Sequence, residues 1–350
     1  MSASAPHGEV FNLTGPWPGL APFLFANHHL DHYPAGTAQM APVESVADRP
    51  LGRDFGNPAG WNMYHGQSVP GFPAHPHRGF ETITIVRSGW VDHADSLGAT
   101  ARFGAGDVQW LTAGSGIVHS EMFPLVSTEH ANPLELFQIW LNLPAAAKQV
   151  EPDFHMYWSA DIPKIRSIGP DGGAATVTVI TGDYTTRRDT GAGVDAPAPP
   201  PRSLAADPAA GIAVWLVDLA PDAEVELPAA SVPGTRRVLY AYGAHTRAQI
   251  EDSVVTSGQG YACLGDDPTL VVTEDRPAQL LMLQALPLDE PVAARGPFVM
   301  NTEPELAQAF ADYQRTGFGG WPWDRPDVVH PREAGRFARH ADGRTEQPER

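Results

Sequence analysis

Short runs of β-branched and apolar residues, separated by turn-forming residues, recur along this chain. Thr82–Val86 is one such run, and Ile212–Leu219 and Gln279–Leu286 are two more. Asp95–Gly98 and Ala105–Asp107 have the Asp, Ser and Gly content of tight turns. Because β-branched residues favour strands and such clusters favour turns, the pattern predicts β-meanders with tight corners.

The same pattern continues in both halves of the chain. Further strands are predicted at Leu134–Leu143, Ala174–Ile180, Arg237–Tyr242 and Thr269–Thr273. Glu305–Tyr313 differs, because its apolar residues have helical spacing and Asn301 or Thr302 precedes it as a candidate N-cap. An all-β protein with a short C-terminal helix is therefore expected. A length of 350 residues exceeds the usual size of one domain and suits two β domains.

Three segments lack this strand pattern. Gly191–Pro201 is rich in Pro, Ala and Gly, which predicts a mobile surface loop. Residues 321–350 begin with Trp321 and Trp323 and then become polar, which predicts a flexible tail. The first ten residues contain neither the basic region nor the apolar core of a signal peptide.

Composition narrows the classes of partner. The formal net charge is −18, with 23 Lys and Arg against 41 Asp and Glu. Phosphate-driven binding needs a basic surface, so direct nucleic-acid binding is not expected, while a protein partner stays open. No apolar run approaches the ~20 residues of a membrane helix, so no membrane association is expected. Cys263 is the single cysteine and cannot form an intrachain disulfide, which fits a reducing cytoplasm.

Two histidine-containing segments carry the candidate chemistry. His75 and His77 form one pair, and His119 and Glu121 repeat the same spacing 42 residues after His77. Side chains at i and i+2 of a strand point to the same face, so all four side chains can enter one cavity. Three imidazoles and one carboxylate suit iron, nickel, copper, manganese or zinc and leave coordination positions open. The pattern predicts a mononuclear metal site.

The remaining histidines are interpreted differently. Residues 28–32 contain a pair at i and i+4, but their apolar neighbours indicate a strand that leads into a turn rather than a metal-binding helix. His65 is a candidate for the mouth of the cavity, and His93 and His130 are assigned to the surface or to turns. Between residues 156 and 329 only His245 is a histidine, so a second metal site of the same kind is not expected.

Several longer motifs in this chain resemble those of a known protein family. The stretch HPHRGFETITIV, the later segments DSLG, GAGDVQWLTAGSGIVHSEM and FQIWLNLPAAAK, and GPFVMNTEPELAQAFADYQRTGFGG near the C-terminus resemble the pirin family of bicupins. The resemblance runs through most of residues 20–320. Thr112 stands where cupins usually have proline, and the Gly-to-His stretch before His119 is longer than the usual cupin pattern.

The resemblance implies two tandem cupin barrels of the double-stranded β-helix, or jelly-roll, type. The expected organisation is an N-terminal arm (1–19), an N-terminal barrel with the metal site (20–144), a connector (145–173), a C-terminal barrel without metal (174–295), a signature with the helix (296–320) and a flexible tail (321–350).

The resemblance also implies the ligands and the activity. His75, His77, His119 and Glu121 would hold Fe(II), with Ni, Cu, Mn and Zn left open, and Glu81 would orient a ligand from beside the site. The implied activity is that of a quercetin 2,3-dioxygenase-like oxidoreductase, which uses O2 to open the ring of a flavonol and release carbon monoxide. Glu121, as the catalytic residue, would accept the proton of the flavonol 3-hydroxyl.

Other functions and the substrate pocket stay open. One alternative is a non-catalytic, iron- or redox-sensing regulator that acts through a protein partner. Another is a metal-dependent isomerase or hydrolase, which would prefer zinc or manganese. Aromatic and apolar residues near the ligands could line a pocket for a phenolic substrate, although most are expected in the core: Phe80, Trp110, Met122, Phe137 and Trp140. Alternation places Phe80 on the face opposite the ligands.

Overall fold

The computed structural model describes residues 8–185 and 196–348. Most of them form β-strands. The beginning of the expected N-terminal arm and residues 191–195 of the expected surface loop lie outside the described residues. No helix within the described residues is long and apolar enough to cross a membrane.

The strands follow one another in short segments. The first eleven are β1 (Glu9–Asn12), β2 (Trp17–Pro18), β3 (Phe23–Tyr33), β4 (Gly71–His77), β5 (Phe80–Ser88), β6 (Trp90–Asp95), β7 (Thr100–Gly104), β8 (Val108–Thr112), β9 (Ile117–Met122), β10 (Asn132–Asn142) and β11 (Asp153–Tyr157). The next ten are β12 (Lys164–Ile168), β13 (Ala174–Thr181), β14 (Ala213–Leu219), β15 (Glu224–Leu227), β16 (Arg236–Tyr242), β17 (Arg247–Ile250), β18 (Ser253–Thr256), β19 (Gln259–Leu264), β20 (Thr269–Val272) and β21 (Ala278–Ala285).

The C-terminal region combines strands with helix. It contains β22 (Ala293–Arg295), β23 (Phe298–Met300), the helix α1 (Glu303–Thr316), β24 (Phe337–Arg339) and β25 (Thr345–Glu346). Single 3-10 turns occur at Ala145–Ala147, Leu204–Ala206, Pro208–Ala210, Gly317–Gly319 and Arg332–Ala334. The strand predictions made from sequence are thereby confirmed.

The chain divides into two compact units, and both are discontinuous in sequence. We call residues 27–160 with 290–350 the N-terminal barrel, and residues 161–289 with 1–26 the C-terminal barrel. The N-terminal barrel has one sheet in the order β11-β8-β5-β10-β3 and another in the order β25-β24-β7-β6-β9-β4. Its core includes Tyr33, Phe103, Leu111 and Ile117.

The C-terminal barrel repeats this architecture. Its larger sheet has the order β1-β19-β16-β21-β14-β13-β12, and its smaller sheet has the order β15-β20-β17-β18. Strand β13 shows how the sequence specifies the sheet, because Ala175, Val177 and Val179 are buried in the core while the residues between them are more exposed.

Helix α1 confirms the predicted helix and its cap. Thr302 is the N-cap: its hydroxyl accepts the backbone N–H of Glu305, and the Glu305 carboxylate accepts the backbone N–H of Thr302. This reciprocal arrangement satisfies backbone donors that the first turn of a helix leaves unpaired. Leu306 and Ala309 bury the apolar face of α1 in a cluster that includes Phe298.

Both the expected connector and the expected tail contain paired strands. The connector expected at 145–173 contains β11 and β12, each of which pairs with a neighbouring strand. The tail expected at 321–350 is not free over its described part, because β24 pairs with β7 and β25. A polar sequence can be ordered when its backbone groups bind buried partners.

Arg102 is the main buried anchor of this C-terminal segment. Its Nε and Nη2 donate to the Asp92 carboxylate at 2.6 and 2.7 Å, and both side chains are almost fully buried. Its remaining donors bind the backbone carbonyls of the segment 330–332, and the backbone N–H of His330 donates to Asp92. Charged groups therefore hold the segment through its backbone.

Arg102→Met should lower the free energy of unfolding by about 3–5 kcal/mol, because Asp92 would keep a buried charge without its partner. Urea unfolding measures this change, and limited proteolysis should cut residues 321–348 faster. The control is Arg295→Met, since the pair of Arg295 and Glu303 is 68% and 70% exposed and such pairs contribute at most about 1 kcal/mol. Equal effects of the two variants would contradict the anchoring role.

Candidate metal centre

Strands β4 and β9 bring the predicted histidines together. In their antiparallel pairing His75 lies opposite His119, and His77 lies opposite Ile117. Residues opposite each other in a ladder point to the same face of the sheet, and so do residues two apart along one strand. His75, His77 and His119 therefore project from one face, as the sequence predicted.

The three imidazoles form a tight cluster. One ring nitrogen from each of His75, His77 and His119 lies within 4.8 Å of the other two. The ring centroids are 4.5, 4.8 and 4.9 Å apart. His77 and His119 are buried, whereas His75 is partly exposed. The cluster is therefore reached from solvent on the side of His75.

The cluster is electrically neutral at neutral pH. Burial lowers the pKa of His75 to about 4 and holds the pKa values of His77 and His119 well below the ordinary value. Each neighbouring histidine lowers these values further, because a second positive charge would be repelled. Neutral imidazoles have the lone pairs that metal ligation requires.

Hydrogen bonding tests whether a metal ion suits these residues. The Nδ1–H groups of His75 and His77 donate to the carbonyls of Pro73 and Pro297 at 2.9 and 3.4 Å, which leaves each Nε2 with its lone pair. Both ring nitrogens of the buried His119 are without a protein partner. Buried polar atoms without partners are costly, so the three-histidine donor set fits a metal ion.

Glu121 lies on the same strand face as His119, but its carboxylate is not among the clustered ligand atoms. Thr84 Oγ1 donates to Glu121 Oε1, and Gln138 Nε2 donates to Oε2, both at 2.9 Å. Burial raises the pKa of Glu121, although these two hydrogen bonds oppose the rise. Ligation by Glu121 stays a prediction.

Glu81 is fully buried. Trp110 Nε1 donates to its Oε1 at 3.2 Å, and the Thr112 hydroxyl donates to the same oxygen at 2.6 Å. The threonine that replaces the usual cupin proline thus supplies a donor that proline lacks. Whether Glu81 also orients a metal ligand stays a prediction.

The histidines of residues 28–32 lie on strand β3, which confirms the strand interpretation. His28 Nε2 binds Glu135 at 3.0 Å, and His29 Nδ1 binds the Tyr64 hydroxyl at 2.8 Å. His65 is exposed, and its ring centroid lies 5.5 Å from that of Phe72.

The prediction that His93 lies on the surface or in a turn was wrong. It is 0% exposed, and its ring centroid lies 5.6 Å from that of His119. Strand β6 pairs with β9 so that His93 lies opposite Glu121. No short motif marks this residue, because its position depends on which strands pair.

Phe72 is a second residue that sequence reasoning missed. Alternation along β4 would place it on the face opposite His75, but a bulge between Phe72 and His75 sets Phe72 opposite Glu121 on the inner face. Its ring centroid lies 6.2 Å from that of His75. Phe55, 53% exposed, lies 6.5 Å from Phe72, so aromatic rings border the open side of the cluster.

Phe80 also lies on the ligand side, contrary to the alternation argument. Its ring stacks on Trp140 at 4.1 Å, and the two rings lie 5.0 and 5.2 Å from that of His77. The other proposed wall residues are fully buried: Trp110, Met122 and Phe137. These three residues belong to the core, as was expected for most of the proposed wall residues.

Comparison with known proteins agrees with this architecture. Residues 20–141 match the Pirin family model, and residues 214–319 match the model of the Pirin C-terminal cupin domain. A Pseudomonas aeruginosa protein with the name "Putative quercetin 2,3-dioxygenase" is 36% identical over 265 residues, which cover 76% of this chain and 84% of the relative. The chain belongs to the pirin family. Human Pirin is 32% identical over 271 residues, 74% of this chain and 81% of that protein.

Solved structures support the fold. The crystal structure of a quercetin 2,3-dioxygenase from Acinetobacter baumannii has a TM-score of 0.67, with 24% identity, over 91% of this chain and 99% of that chain. This pirin-family protein is thus all-β, with two tandem cupin barrels and a short C-terminal helix. The domain boundaries given above from sequence stay a prediction.

His75→Gln should reduce the pH dependence of stability in the metal-free protein. The unfolded chain takes up a proton on His75 near pH 6.5, but the folded protein does so only near pH 4. Stability from this group is therefore lost as pH falls between these values. Urea unfolding at pH 7 and pH 4.5 should show a smaller loss in the variant. The exposed residue His65, changed to Gln, is the control, and an unchanged slope in His75→Gln would contradict this assignment.

Proposed function

We propose that this pirin-family protein is an Fe(II)-dependent dioxygenase that cleaves a flavonol such as quercetin. The metal ligands would be His75, His77, His119 and Glu121. The observation that carries the proposal is the convergence of three neutral imidazoles, one without any hydrogen-bond partner, beside a buried carboxylate. The names of the Pseudomonas aeruginosa relatives, 36% and 34% identical, support the substrate class.

The donor set indicates a metal site but does not by itself select one metal. Three imidazoles and a carboxylate accept Fe(II), and also Ni, Cu, Mn or Zn. When bound, a metal ion of this kind supplies Lewis acidity and open coordination positions. We favour iron because the resemblance to the pirin family implies it, and zinc, which is not redox-active, would instead suit the rival isomerase or hydrolase.

Glu121 would act as the general base in this reaction. Burial of the Glu121 carboxylate keeps water from competing for it. Thr84 and Gln138 each occupy one lone pair of the carboxylate, so each oxygen retains another. A retained lone pair would accept the proton of the flavonol 3-hydroxyl. One O2 is consumed and one carbon monoxide is released, so both oxygen atoms of O2 remain in the ring-opened product.

The aromatic border would bind the planar rings of the substrate. Phe55, His65 and Phe72 lie together on the side where His75 is exposed, with centroid distances of 5.3 to 6.5 Å. Aromatic rings bind one another by stacking and edge contacts, beyond the simple burial of apolar surface. A phenolic ligand fits this border better than a sugar or an acyl chain does.

A non-catalytic, iron- or redox-sensing regulator is the alternative to the dioxygenase. The net charge of −18 disfavours direct binding to nucleic acid, so a regulator of this type would act through a protein partner. We propose a cytoplasmic location, since Cys263 is the single cysteine and cannot form an intrachain disulfide.

Oxygen consumption tests the dioxygenase directly. Protein loaded with Fe(II) under anaerobic conditions and then transferred to aerated buffer should take up O2 when quercetin is added, and carbon monoxide should form in equal amount. His119→Ala should abolish uptake by removing a ligand. Glu121→Gln should keep some of the metal but lose at least about a hundredfold in turnover, because the amide cannot accept the proton.

The outcomes separate the candidate functions. Glu121→Gln with unchanged turnover would refute the base role while leaving the metal centre intact. No O2 uptake by fully metallated wild-type protein would refute the flavonol dioxygenase and favour the regulator. Turnover of another substrate with zinc and without O2 would favour the isomerase or hydrolase.

Phe55→Ala and Phe72→Leu should raise KM for quercetin about 5- to 10-fold, since an aromatic contact contributes roughly 1 kcal/mol. The value of kcat should change much less, because neither residue is assigned a role in the chemistry. Steady-state kinetics measures both constants. Leu30→Ala is the control, because Leu30 is an exposed apolar residue of β3 at 49%. Equal KM values in all three variants and the wild type would show that the aromatic border does not bind the substrate.

A further inference from the structure

His93 has a fixed position next to the metal centre. It belongs to β6, lies opposite Glu121 across the ladder, and is fully buried. Its ring stacks on Phe154 with centroids 4.8 Å apart and planes 11° apart. A second ring neighbour is His119, with its centroid 5.6 Å away. The plane of the His93 ring is therefore set by packing.

Asp95 determines which nitrogen of His93 carries the proton. His93 Nε2 lies 3.2 Å from Asp95 Oδ2. The other oxygen, Oδ1, accepts the backbone N–H groups of Leu97 and Ala99 at 2.9 and 3.0 Å. A carboxylate only accepts hydrogen bonds, so Nε2 is the N–H donor, and in that tautomer Nδ1 has the lone pair. That Nδ1 is buried and has no hydrogen-bond partner.

His119 lacks hydrogen-bond partners in the same way, and when it binds a metal it would need an acceptor for its second N–H. Both of its ring nitrogens are buried without a partner. A neutral histidine that binds a metal through one nitrogen carries N–H on the other, and metal-ligating histidines almost always donate that N–H to an acceptor. His93 Nδ1 is an acceptor without a donor, on a ring in contact with His119. The chain thus contains a matched donor and acceptor that metal binding would join.

We propose that His93 is a positioning residue for the metal ligand His119, which donates its second N–H to His93 Nδ1 when the metal is bound. Asp95, His93 and His119 then form a hydrogen-bonded series that ends at the metal. The series fixes the tautomer and the ring orientation of His119 and makes its ligating nitrogen more basic. The inference rests on the metal centre proposed above, and it adds residues that no part of that proposal used.

Other roles for His93 fit the structure less well. It is not among the three residues whose ligand atoms cluster, so it is a neighbour of a ligand rather than a ligand itself. A residue that only filled this space would be apolar, because a buried imidazole paired with a buried aspartate costs desolvation of both. The unpartnered Nδ1 faces the same cost unless His119 uses it.

The test measures metal affinity without activity. Co(II) is titrated into the metal-free, full-length protein in competition with a chelator, and its visible absorption is recorded. His93→Gln can keep the bond to Asp95 but lacks an acceptor at Nδ1, and His93→Phe lacks both groups. Both should bind Co(II) about 10- to 100-fold more weakly than the wild type. His93→Asn, whose amide oxygen can occupy the position of Nδ1, should lose less.

A matched control exists within the same barrel. His28 is also bound to a carboxylate, Glu135, at 3.0 Å, and stacks on Phe137 at 4.7 Å. His28 lies outside the three-histidine cluster. His28→Gln should therefore bind Co(II) as the wild type does. Circular dichroism establishes that each variant is folded before its affinity is compared.

A measurement on the wild type keeps the inference testable even if the variants do not fold. In 15N-histidine-labelled protein loaded with Zn(II), NMR should show a nitrogen–nitrogen coupling across the hydrogen bond from His119 to His93 Nδ1. Absence of the coupling, or wild-type affinity in folded His93→Phe, would overturn the positioning role alone. Failure of the wild type to bind Co(II) or Zn(II) would instead overturn the metal centre, and with it this inference.

Discussion

The register of strand β9 between β4 and β6 is the constraint on which the site depends. His75 and Asp95 lie opposite His119 on its two sides, and Phe72 and His93 lie opposite Glu121. A slip of one residue would turn the inner side chains to the other face of the sheet. Gly71 helps to fix this register, because it has a φ of +128° and a Cβ there would lie 2.5 Å from the Glu121 carbonyl oxygen.

The site concentrates polar groups in a buried place, and their hydrogen bonds show how this is tolerated. Burial keeps the imidazoles of the cluster neutral, so the protein does not bury several positive charges together. Glu121 and Asp95 each accept hydrogen bonds on both carboxylate oxygens. Among the described residues, the buried side-chain nitrogen and oxygen atoms without a hydrogen-bond partner belong to His119, His93 and a few other side chains. Of these, the two histidine rings are in contact, which links the stability of the barrel to the ligand it would hold.

The local sequence pattern predicted the strands and the face that carries the three histidines. The positions of Phe72, His93 and the C-terminal segment depend on how distant strands pair. Alternation in two short motifs was enough to bring His75, His77 and His119 to one face, because each motif lies within one strand. Phe72 was missed because a bulge reverses alternation, and a bulge has no reliable local signal. His93 was missed because its neighbours come from another strand. The C-terminal segment was taken for a tail because its anchor, Arg102, lies more than 200 residues earlier in the chain.

The C-terminal barrel shows that the chemistry belongs to the residues and not to the fold. Arg237 lies on the same face of β16 as the core residues Leu239 and Ala241, and it is fully buried. Its guanidinium donates to neutral oxygens of Gln284, Thr269 and Pro228. A buried cation in this position repels a metal ion, whereas the N-terminal barrel presents neutral nitrogen lone pairs. Two barrels of one architecture thus bury different groups, a guanidinium in the C-terminal barrel and a cluster of three imidazoles in the N-terminal barrel.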